Sequence, residues 1–324
     1  MRRRTRVLVI LAAGTVALLA VGEGVSRWWL GLGTPLLYVE HPRVEYMLRP
    51  NQDRWRFGNH LVINEHGMRS PPLAPHKASP DDVRVLVFGD SIVNGGGHID
   101  QTEVVTTLLA ERLAGQVAPR KLEVANVSAG SWGPGNWLAY LREFGSFDAD
   151  LIVLVLSSHD HCDNPTFTGL NTNLCPDTDP PSALAEVFFR YLPRYARRAM
   201  FPRGPEAPPT QADIDRAMTD LAAFLELAKA SAPEVIVFQA AERIEAQRDE
   251  SLKGHGIIRA VCDQAGVPTY DFRGAMAEAI RKGTPGLYQD FEHPGPPGHK
   301  VMADVMEPVL RSTRALSTTP TPAP

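Results

Sequence analysis

The chain has 324 residues, of which 44% are hydrophobic and 22% are charged, so it is long and apolar enough to bury a large core. Its formal net charge is −4, and no basic stretch follows the first six residues. Nucleic-acid binding usually leaves a basic patch in the sequence, so this charge pattern argues against nucleic acid as the main partner.

An export signal opens the chain. The cationic segment MRRRTR precedes an apolar run from Val7 to Val21, and this order directs the remainder out of the cytoplasm. The run is shorter than the roughly 17 residues that a spanning helix needs, and Ala20-Val21-Gly22 fits a cleavage site. Arg27-Trp28-Trp29 instead suits the far interface of an uncleaved anchor. We expect a membrane contact through this N-terminal helix, with the protein facing the periplasm or cell exterior, or a secreted protein if the signal is cleaved.

The chain divides into four segments. Residues 1–33 are the signal anchor or signal peptide, and residues 34–81 form an accessory segment with a small hairpin around a Gly58-Asn59 turn. Residues 82–314 form the main domain. Residues 315–324 are predicted to be a disordered tail, because they are rich in Ser, Thr and Pro.

Strand and helix patterns alternate through residues 82–314. The first strand, Val83 to Phe88, is continuously apolar, and the helix after it has Asp100 and Glu103 spaced as a capping box. Alternation with short connections predicts an α/β fold with a doubly wound parallel sheet of about five strands. The four later strands are predicted at residues 122–127, 151–156, 234–240 and 268–272.

Polar motifs follow these strands, at the carboxyl ends where such sheets bind ligands. The first strand ends in Gly89-Asp90-Ser91 and the second in the turn from Asn126 to Gly130, while Asp290 and His293 follow near the end of the chain. A serine nucleophile needs a base, a carboxylate that orients the base, and donors for the oxyanion. Ser91 is the candidate nucleophile, His293 the candidate base and Asp290 the candidate carboxylate. The backbone N–H groups of Ser91 and Gly130 are candidate oxyanion donors.

At these positions the sequence resembles an SGNH, or GDSL-type, hydrolase. GDSIVNG at 89–95 matches the nucleophile block of that family, Asn126 to Gly130 its glycine block, and Asp290-x-x-His293 its terminal block. The resemblance implies a three-layer α/β/α, flavodoxin-like fold and a serine-dependent attack on an ester. It assigns Ser91 as nucleophile, His293 as general base, Asp290 as the group that orients the base, and Gly130 as an oxyanion donor.

One block departs from the family pattern. The family commonly shows Gly-x-Asn-Asp, whose Asn side chain donates to the oxyanion, whereas Ser157-Ser158-His159-Asp160 places a histidine at the Asn position. A neutral imidazole still donates one N–H, so we expect His159 to complete the oxyanion hole with Ser91 and Gly130. The loss of one such donor typically costs about 3 to 4 kcal/mol of transition-state stabilisation.

Two alternatives to a serine hydrolase remain open. His159, His161 and Asp163 form a His-x-His-x-Asp run after a strand, which is typical of the first ligands of a metal-dependent hydrolase. The other alternative is a non-catalytic SGNH-like binding protein, for which the histidine at position 159 is the only hint. Gly95 to Gly97 lack the ending of a phosphate loop, and they predict a flexible loop at the site.

The chain has three cysteines, and export makes disulfides possible. Cys162 and Cys175 bracket a loop rich in polar and turn residues, so a disulfide between them is the preferred pairing. Cys262 lies in a helical pattern, where a buried, small hydrophobic role is expected.

These features predict an exported serine esterase that hydrolyses acyl esters through an acyl-serine at Ser91. Water as acceptor gives an esterase, and a glycan hydroxyl gives an O-acyltransferase. The resemblance implies O-acetyl-like groups on an acylated small molecule or a cell-surface glycan as the substrate class. The chemistry requires no cofactor and no metal.

Overall fold

The computed structural model describes residues 3–200 and 208–317. It begins with a long helix, α1 (Arg3–Gly24), which continues as a π-helical turn over Val25–Trp29. This stretch of 27 residues is long and apolar enough to cross a membrane. Since α1 buries none of its side chains against the described chain, it fits the predicted signal or anchor and not a core helix.

Two antiparallel hairpins make up the accessory segment. β1 (Tyr38–His41) pairs with β2 (Glu45–Leu48), and β3 (Gln52–Arg56) pairs with β4 (Asn59–Ile63). The second hairpin lies in the region where the sequence predicts one, but its turn is Phe57-Gly58, one residue before the predicted Gly58-Asn59, with positive φ at both turn residues. The first hairpin is not predicted, because strands of four residues carry too little alternation to be recognised.

A parallel sheet of five strands forms the centre of the main domain. Its strands are β5 (Val83–Gly89), β6 (Leu122–Ser128), β7 (Leu151–Ser157), β8 (Glu234–Ala240) and β9 (Thr269–Asp271). The spatial order is β6-β5-β7-β8-β9, the flavodoxin-like order that the resemblance implies. β5 and β7 are buried along their whole length, because helices cover both faces of the sheet.

Helices form the two outer layers. In chain order they are α2 (Ser91–Asn94), α3 (Val105–Val117), α4 (Pro134–Phe144), α5 (Ala183–Glu186), α6 (Leu192–Met200), α7 (Gln211–Ser231), α8 (Arg243–Arg248), α9 (Lys253–Gln264), α10 (Arg273–Arg281) and α11 (Pro296–Arg311). A π-helical turn, Val187–Tyr191, joins α5 to α6. α4, α7 and α9 pack on one face of the sheet, and α3, α10 and α11 pack on the other. The three-layer α/β/α fold is thereby confirmed.

The start of α3 differs from the sequence prediction. Asp100 caps a single 3-10 turn, Gln101–Glu103, so it forms no capping box with Glu103. The helix itself begins at Val105, whose N–H is accepted by Nδ1 of His299 at 3.1 Å. The cap therefore comes from the last helix of the fold, which no local spacing reveals.

The predicted tail begins later than expected. Leu316 is fully buried, and its carbonyl oxygen accepts a hydrogen bond of 2.9 Å from Nε2 of Gln116. The N–H of Ala315 donates to a carboxylate oxygen of Glu234 at 3.0 Å. Residues 315–317 therefore belong to the packed domain, and residues 318–324 lie outside the described residues.

Candidate active site

The Gly-Asp-Ser motif lies where β5 is followed by α2. Local contacts explain the residue type at each of its positions. A Cβ on Gly89 would lie 2.3 Å from Cγ2 of Val93, so only glycine lets α2 pack against the strand. Asp90 is buried, and its Oδ1 accepts a hydrogen bond of 2.8 Å from the N–H of Ile92, which caps α2. Ser91 is consequently the first residue of a helix at the carboxyl edge of the sheet.

The side chains of Ser91, His293 and Asp290 are joined by consecutive hydrogen bonds. Nε2 of His293 lies 2.9 Å from Oγ of Ser91, and Nδ1 of the same ring lies 2.9 Å from Oδ2 of Asp290. The hydroxyl therefore donates to Nε2 when Nδ1 carries the proton and donates to the carboxylate. The structure brings the three predicted catalytic residues together across 202 positions of the chain.

The loop that carries Asp290 and His293 is fixed by its own backbone. Oδ1 of Asp290 accepts hydrogen bonds from the N–H groups of Glu292 at 2.9 Å and His293 at 2.8 Å. Burial alone raises the pKa of the Asp290 carboxyl, but these hydrogen bonds and the His293 imidazole outweigh burial and lower it. Asp290 is therefore ionised and holds the imidazole in one orientation.

Strand register places the two predicted backbone donors side by side. Gly89 of β5 pairs with Ser128 of β6, and Ser91 and Gly130 each follow two residues later. Neither of their N–H groups has a hydrogen-bond partner in residues 3–200 or 208–317. The hydroxyl of Tyr46 donates to the carbonyl of Gly130 at 2.7 Å and holds the turn in place. Two adjacent donors are thus available for an oxyanion.

His159 follows β7 in a 3-10 turn, Ser158–His161, next to the nucleophile motif. Its Nε2 lies 3.3 Å from Oδ2 of Asp90 and 3.2 Å from Oε1 of Glu292, and its Nδ1 lies 2.6 Å from Oγ of Ser157. The imidazole therefore stands between the residue before the nucleophile and the loop that carries the base.

Four carboxyl groups surround the His159 ring. Besides Asp90 and Glu292, Asp160 lies 3.8 Å from Nε2 and Glu242 lies 3.9 Å from Nδ1. Burial alone lowers the pKa of His159, but the surrounding carboxylates raise it well above its ordinary value. This shift favours the imidazolium form, whereas the sequence prediction takes the ring as a neutral donor.

The acids of this cluster respond to burial in the opposite direction. Asp160 is fully buried, and burial raises its pKa well above the ordinary value, although the positive charge of His159 opposes this. Burial likewise raises the pKa of Glu292.

The predicted metal-ligand run does not converge on one point. Nδ1 of His161 lies 2.7 Å from the carbonyl oxygen of Ser158, so this ring is bound to its own turn. Among the described residues, the set whose ligand atoms lie within 4.8 Å of one another is Asp90, His159 and Asp160. The His-x-His-x-Asp pattern is therefore not the ligand set that the fold assembles.

Comparison with known proteins identifies the family. The family model described as the GDSL-like Lipase/Acylhydrolase family matches residues 87–301. The chain belongs to this family. Since its members are serine enzymes that cleave esters, the protein is a serine ester hydrolase. No curated protein matches the chain.

Three solved structures are similar to this GDSL-like hydrolase at low sequence identity. An alpha/beta hydrolase enzyme from the metagenome of Lake Arreo, Spain, is 17% identical with a TM-score of 0.44, and the match covers 69% of this chain and 93% of that chain. A catalytic mutant of Axe2, an acetylxylan esterase from Geobacillus stearothermophilus, is 14% identical with a TM-score of 0.44, covering 74% and 97%. A member of the lipolytic protein G-D-S-L family from Veillonella parvula is 15% identical with a TM-score of 0.42, covering 72% and 99%.

The glycine loop of this GDSL-like hydrolase is clamped. The guanidinium of Arg69, which is fully buried, donates to the carbonyl oxygens of Asn94 at 2.5 Å, Gly96 at 2.7 Å and Ile99 at 2.5 Å. Burial lowers the pKa of Arg69 to about 10, which leaves it charged at neutral pH. Gly95 ends α2 with a φ of 74°, a backbone that favours glycine. The loop that the sequence predicts to be flexible is thus held by three hydrogen bonds.

All three cysteines lie within the described residues, and all are free thiols. The predicted disulfide between Cys162 and Cys175 is thus absent. Sγ of Cys162 lies 3.4 Å from the carbonyl of His159, whereas Cys175 has Tyr38 and Arg190 as neighbours, and burial raises its pKa to about 11. The two thiols face different surroundings. Cys262 is buried, as predicted.

Sequence reasoning missed two residues of the GDSL-like site. Glu292 lies between Asp290 and His293, and Glu242 follows the carboxyl end of β8. The rule that strand ends carry the site applies to Glu242, so that signal was present. Only the folded chain shows that both carboxylates face His159.

Proposed function

We propose that this GDSL-like hydrolase is an exported, membrane-anchored serine esterase in which Ser91 attacks the acyl carbon of an ester. The relay from Ser91 through His293 to Asp290, with both links at 2.9 Å, is the observation that carries the proposal. Export is supported by the apolar N-terminal helix, which follows a cationic segment.

The first half-reaction forms the acyl-serine. Oγ of Ser91 bonds to the acyl carbon while its proton passes to Nε2 of His293, and the N–H groups of Ser91 and Gly130 stabilise the charge that develops on the carbonyl oxygen. The C–O bond to the alcohol then breaks, and His293 returns the proton to the leaving oxygen. Asp290 stabilises the imidazolium ion throughout.

The second half-reaction releases the acyl group. His293 takes a proton from water, the resulting hydroxide attacks the acyl-serine, and the proton returns to Ser91. We propose small O-acetyl-like esters, on a cell-surface glycan or an acylated small molecule, as substrates. An outward-facing, anchored site has such glycans within reach.

Active-site labelling tests this proposal. The full chain in detergent is treated with a fluorophosphonate, and the labelled peptide is mapped. We expect the label on Ser91, its loss in Ser91→Ala and His293→Ala, and a fall in kcat on a simple acetate ester by about 10³-fold or more. Ser312→Ala, an exposed serine at the C-terminal end of α11, is the control that keeps both signals. A label on another serine, or turnover by Ser91→Ala, contradicts the mechanism.

A further inference from the structure

The helical segment Ala183–Met200 carries an apolar face that no described residue covers. Phe189 is 79% exposed, which is unusual for an aromatic side chain on a soluble surface. The exposed apolar residues recur at the one-, three-, four- and eight-residue steps of a helix face. They are Phe188, Phe189, Leu192, Tyr195 and Met200.

This segment starts at the end of the apolar N-terminal helix. The carboxylate of Glu23 accepts hydrogen bonds from the N–H groups of Ala183 at 3.0 Å and Leu184 at 2.9 Å, which caps the segment. Glu23 is the first charged residue after the apolar run. Trp28, 87% exposed, and the exposed Trp29 lie one turn further on, as aromatic residues do at a membrane interface. The segment therefore begins at the level where the membrane would end.

A buried ion pair fixes the segment to the accessory hairpin. The guanidinium of Arg56 in β3 contacts the carboxylate of Glu186 at 2.6 and 3.0 Å, and the N–H of Gly33 donates to the same carboxylate at 2.7 Å. Burial raises the pKa of Glu186, but Arg56 and Gly33 outweigh burial and lower it. The start of the segment therefore cannot swing freely about the end of α1.

Basic residues accompany the apolar face. The charged residues of the segment after Glu186 are all arginines. Arg194 is exposed, whereas the guanidinium of Arg190 is bound by Glu186 and by the carbonyl oxygens of Asn173 and Leu174. Among the described side chains, Arg194 is therefore the arginine available to an anionic headgroup. A helix with an apolar face and a basic polar face lies in the plane of a membrane interface, where arginines bind anionic headgroups and its aromatic residues enter the acyl boundary.

We propose that Ala183–Met200 is an interfacial helix that lies on the anionic surface of the membrane that α1 spans. This inference rests on the anchored location in the proposed function. With two attachments, one spanning and one lying flat, the catalytic domain has a fixed tilt and height above the bilayer. A single helix would leave it free to rotate.

Lipid photocrosslinking from the full chain tests the proposal. Benzoylphenylalanine replaces Phe189 in protein reconstituted into vesicles of phosphatidylcholine and phosphatidylglycerol. The matched control carries it at Tyr270, a half-exposed aromatic residue on the edge strand β9. We expect at least about 10-fold more lipid adduct at position 189 than at position 270, and a several-fold loss of adduct when the vesicles contain phosphatidylcholine alone.

The outcomes separate this inference from the anchor itself. Vesicle flotation without lipid adduct at position 189 keeps the anchor and overturns the interfacial helix. Adducts between two copies of the chain also overturn it, because they show that a second copy covers the face. Failure of the full chain to float overturns the anchored location as well. A Phe189→Asp variant, expected to float and to hydrolyse a soluble ester normally, shows that loss of insertion is not loss of folding.

Discussion

His159 differs from the amide expected at its position because the surrounding carboxylates raise its pKa and so favour a charged ring. An ionised donor makes hydrogen bonds roughly twice as strong as a neutral one, but Nε2 of His159 also lies within 3.3 Å of both Asp90 and Glu292. We infer that the positive charge offsets these carboxylates near the place where the oxyanion develops. The charge of the His159 ring is therefore expected to affect stabilisation of the oxyanion as much as the orientation of its N–H groups does.

Exchange of His159 for the expected amide tests this role. We expect His159→Asn to lower kcat by about 10- to 100-fold, because the carboxylates of Asp90 and Glu292 would then repel the oxyanion without compensation. Glu292→Gln in the same chain should restore part of the loss, since it removes one of those charges. Steady-state kinetics of the two single variants and the double variant on one ester measure the effect. Equal losses with and without Glu292→Gln would contradict it.

At the scale of elements, the glycine loop depends on one distant side chain. Arg69 leaves the accessory segment and binds three carbonyl groups around Gly95 to Gly97. The accessory hairpin adds a contact of its own, because Nδ2 of Asn59 donates to the carbonyl of Gly97 at 3.1 Å. The segment before the main domain is therefore part of the active-site wall.

Arg69→Lys tests the clamp. A single ammonium cannot span three carbonyl groups, so buried oxygens lose their donors. We expect a loss of roughly 2 to 4 kcal/mol in the free energy of unfolding, with a raised KM because the loop is no longer fixed. Arg112→Lys, on a partly exposed ion pair with Asp304, is the matched control, with an expected loss below about 1 kcal/mol. Denaturant titration measures both variants. Similar losses of unfolding free energy in Arg69→Lys and Arg112→Lys would show that the three hydrogen bonds of Arg69 do not stabilise the fold.

The sequence predicts the elements that repeat a pattern and misses those that depend on distant contacts. The five strands and the Ser91, Asp290 and His293 positions carry local motifs, so they are predictable. The Arg69 clamp joins residues 25 or more positions apart, and no local pattern connects them. The charge of His159 is hidden for the same reason, because its four acids come from three strand ends and a late loop.

At the scale of the whole molecule, two histidines with opposite pKa shifts contribute to the pH dependence of folding stability. His299 is fully buried; burial lowers its pKa to about 3, and the positive charge of Arg69 adds to the shift. Its ring is therefore neutral and accepts the N–H of Val105 at the start of α3. His159, in contrast, holds its proton more tightly when the chain is folded.

These shifts act on opposite sides of neutrality. The unfolded chain binds a proton at His299 below about pH 6.5 and the folded chain does not, so folding stability falls as pH drops from that value. The folded chain keeps the His159 proton above about pH 6.5 and the unfolded chain loses it, so stability falls as pH rises through the raised pKa. The raised pKa values of Asp160 and Glu292 act in the same direction as His159.

Substitution of His299 should change the dependence of Tm on pH below neutrality, and substitution of His159 should change it above neutrality. Asn at position 299 can still accept a hydrogen bond but does not titrate, so His299→Asn should reduce the fall in Tm between about pH 7.5 and about pH 5.5. His159→Asn should reduce the fall between about pH 7.5 and about pH 9.5, because the variant has no proton to retain there. Thermal melts of the full chain in detergent at the three pH values measure both slopes. If either variant lowers Tm equally at all three pH values, the residue supports the fold by packing alone and its proton is not linked to folding.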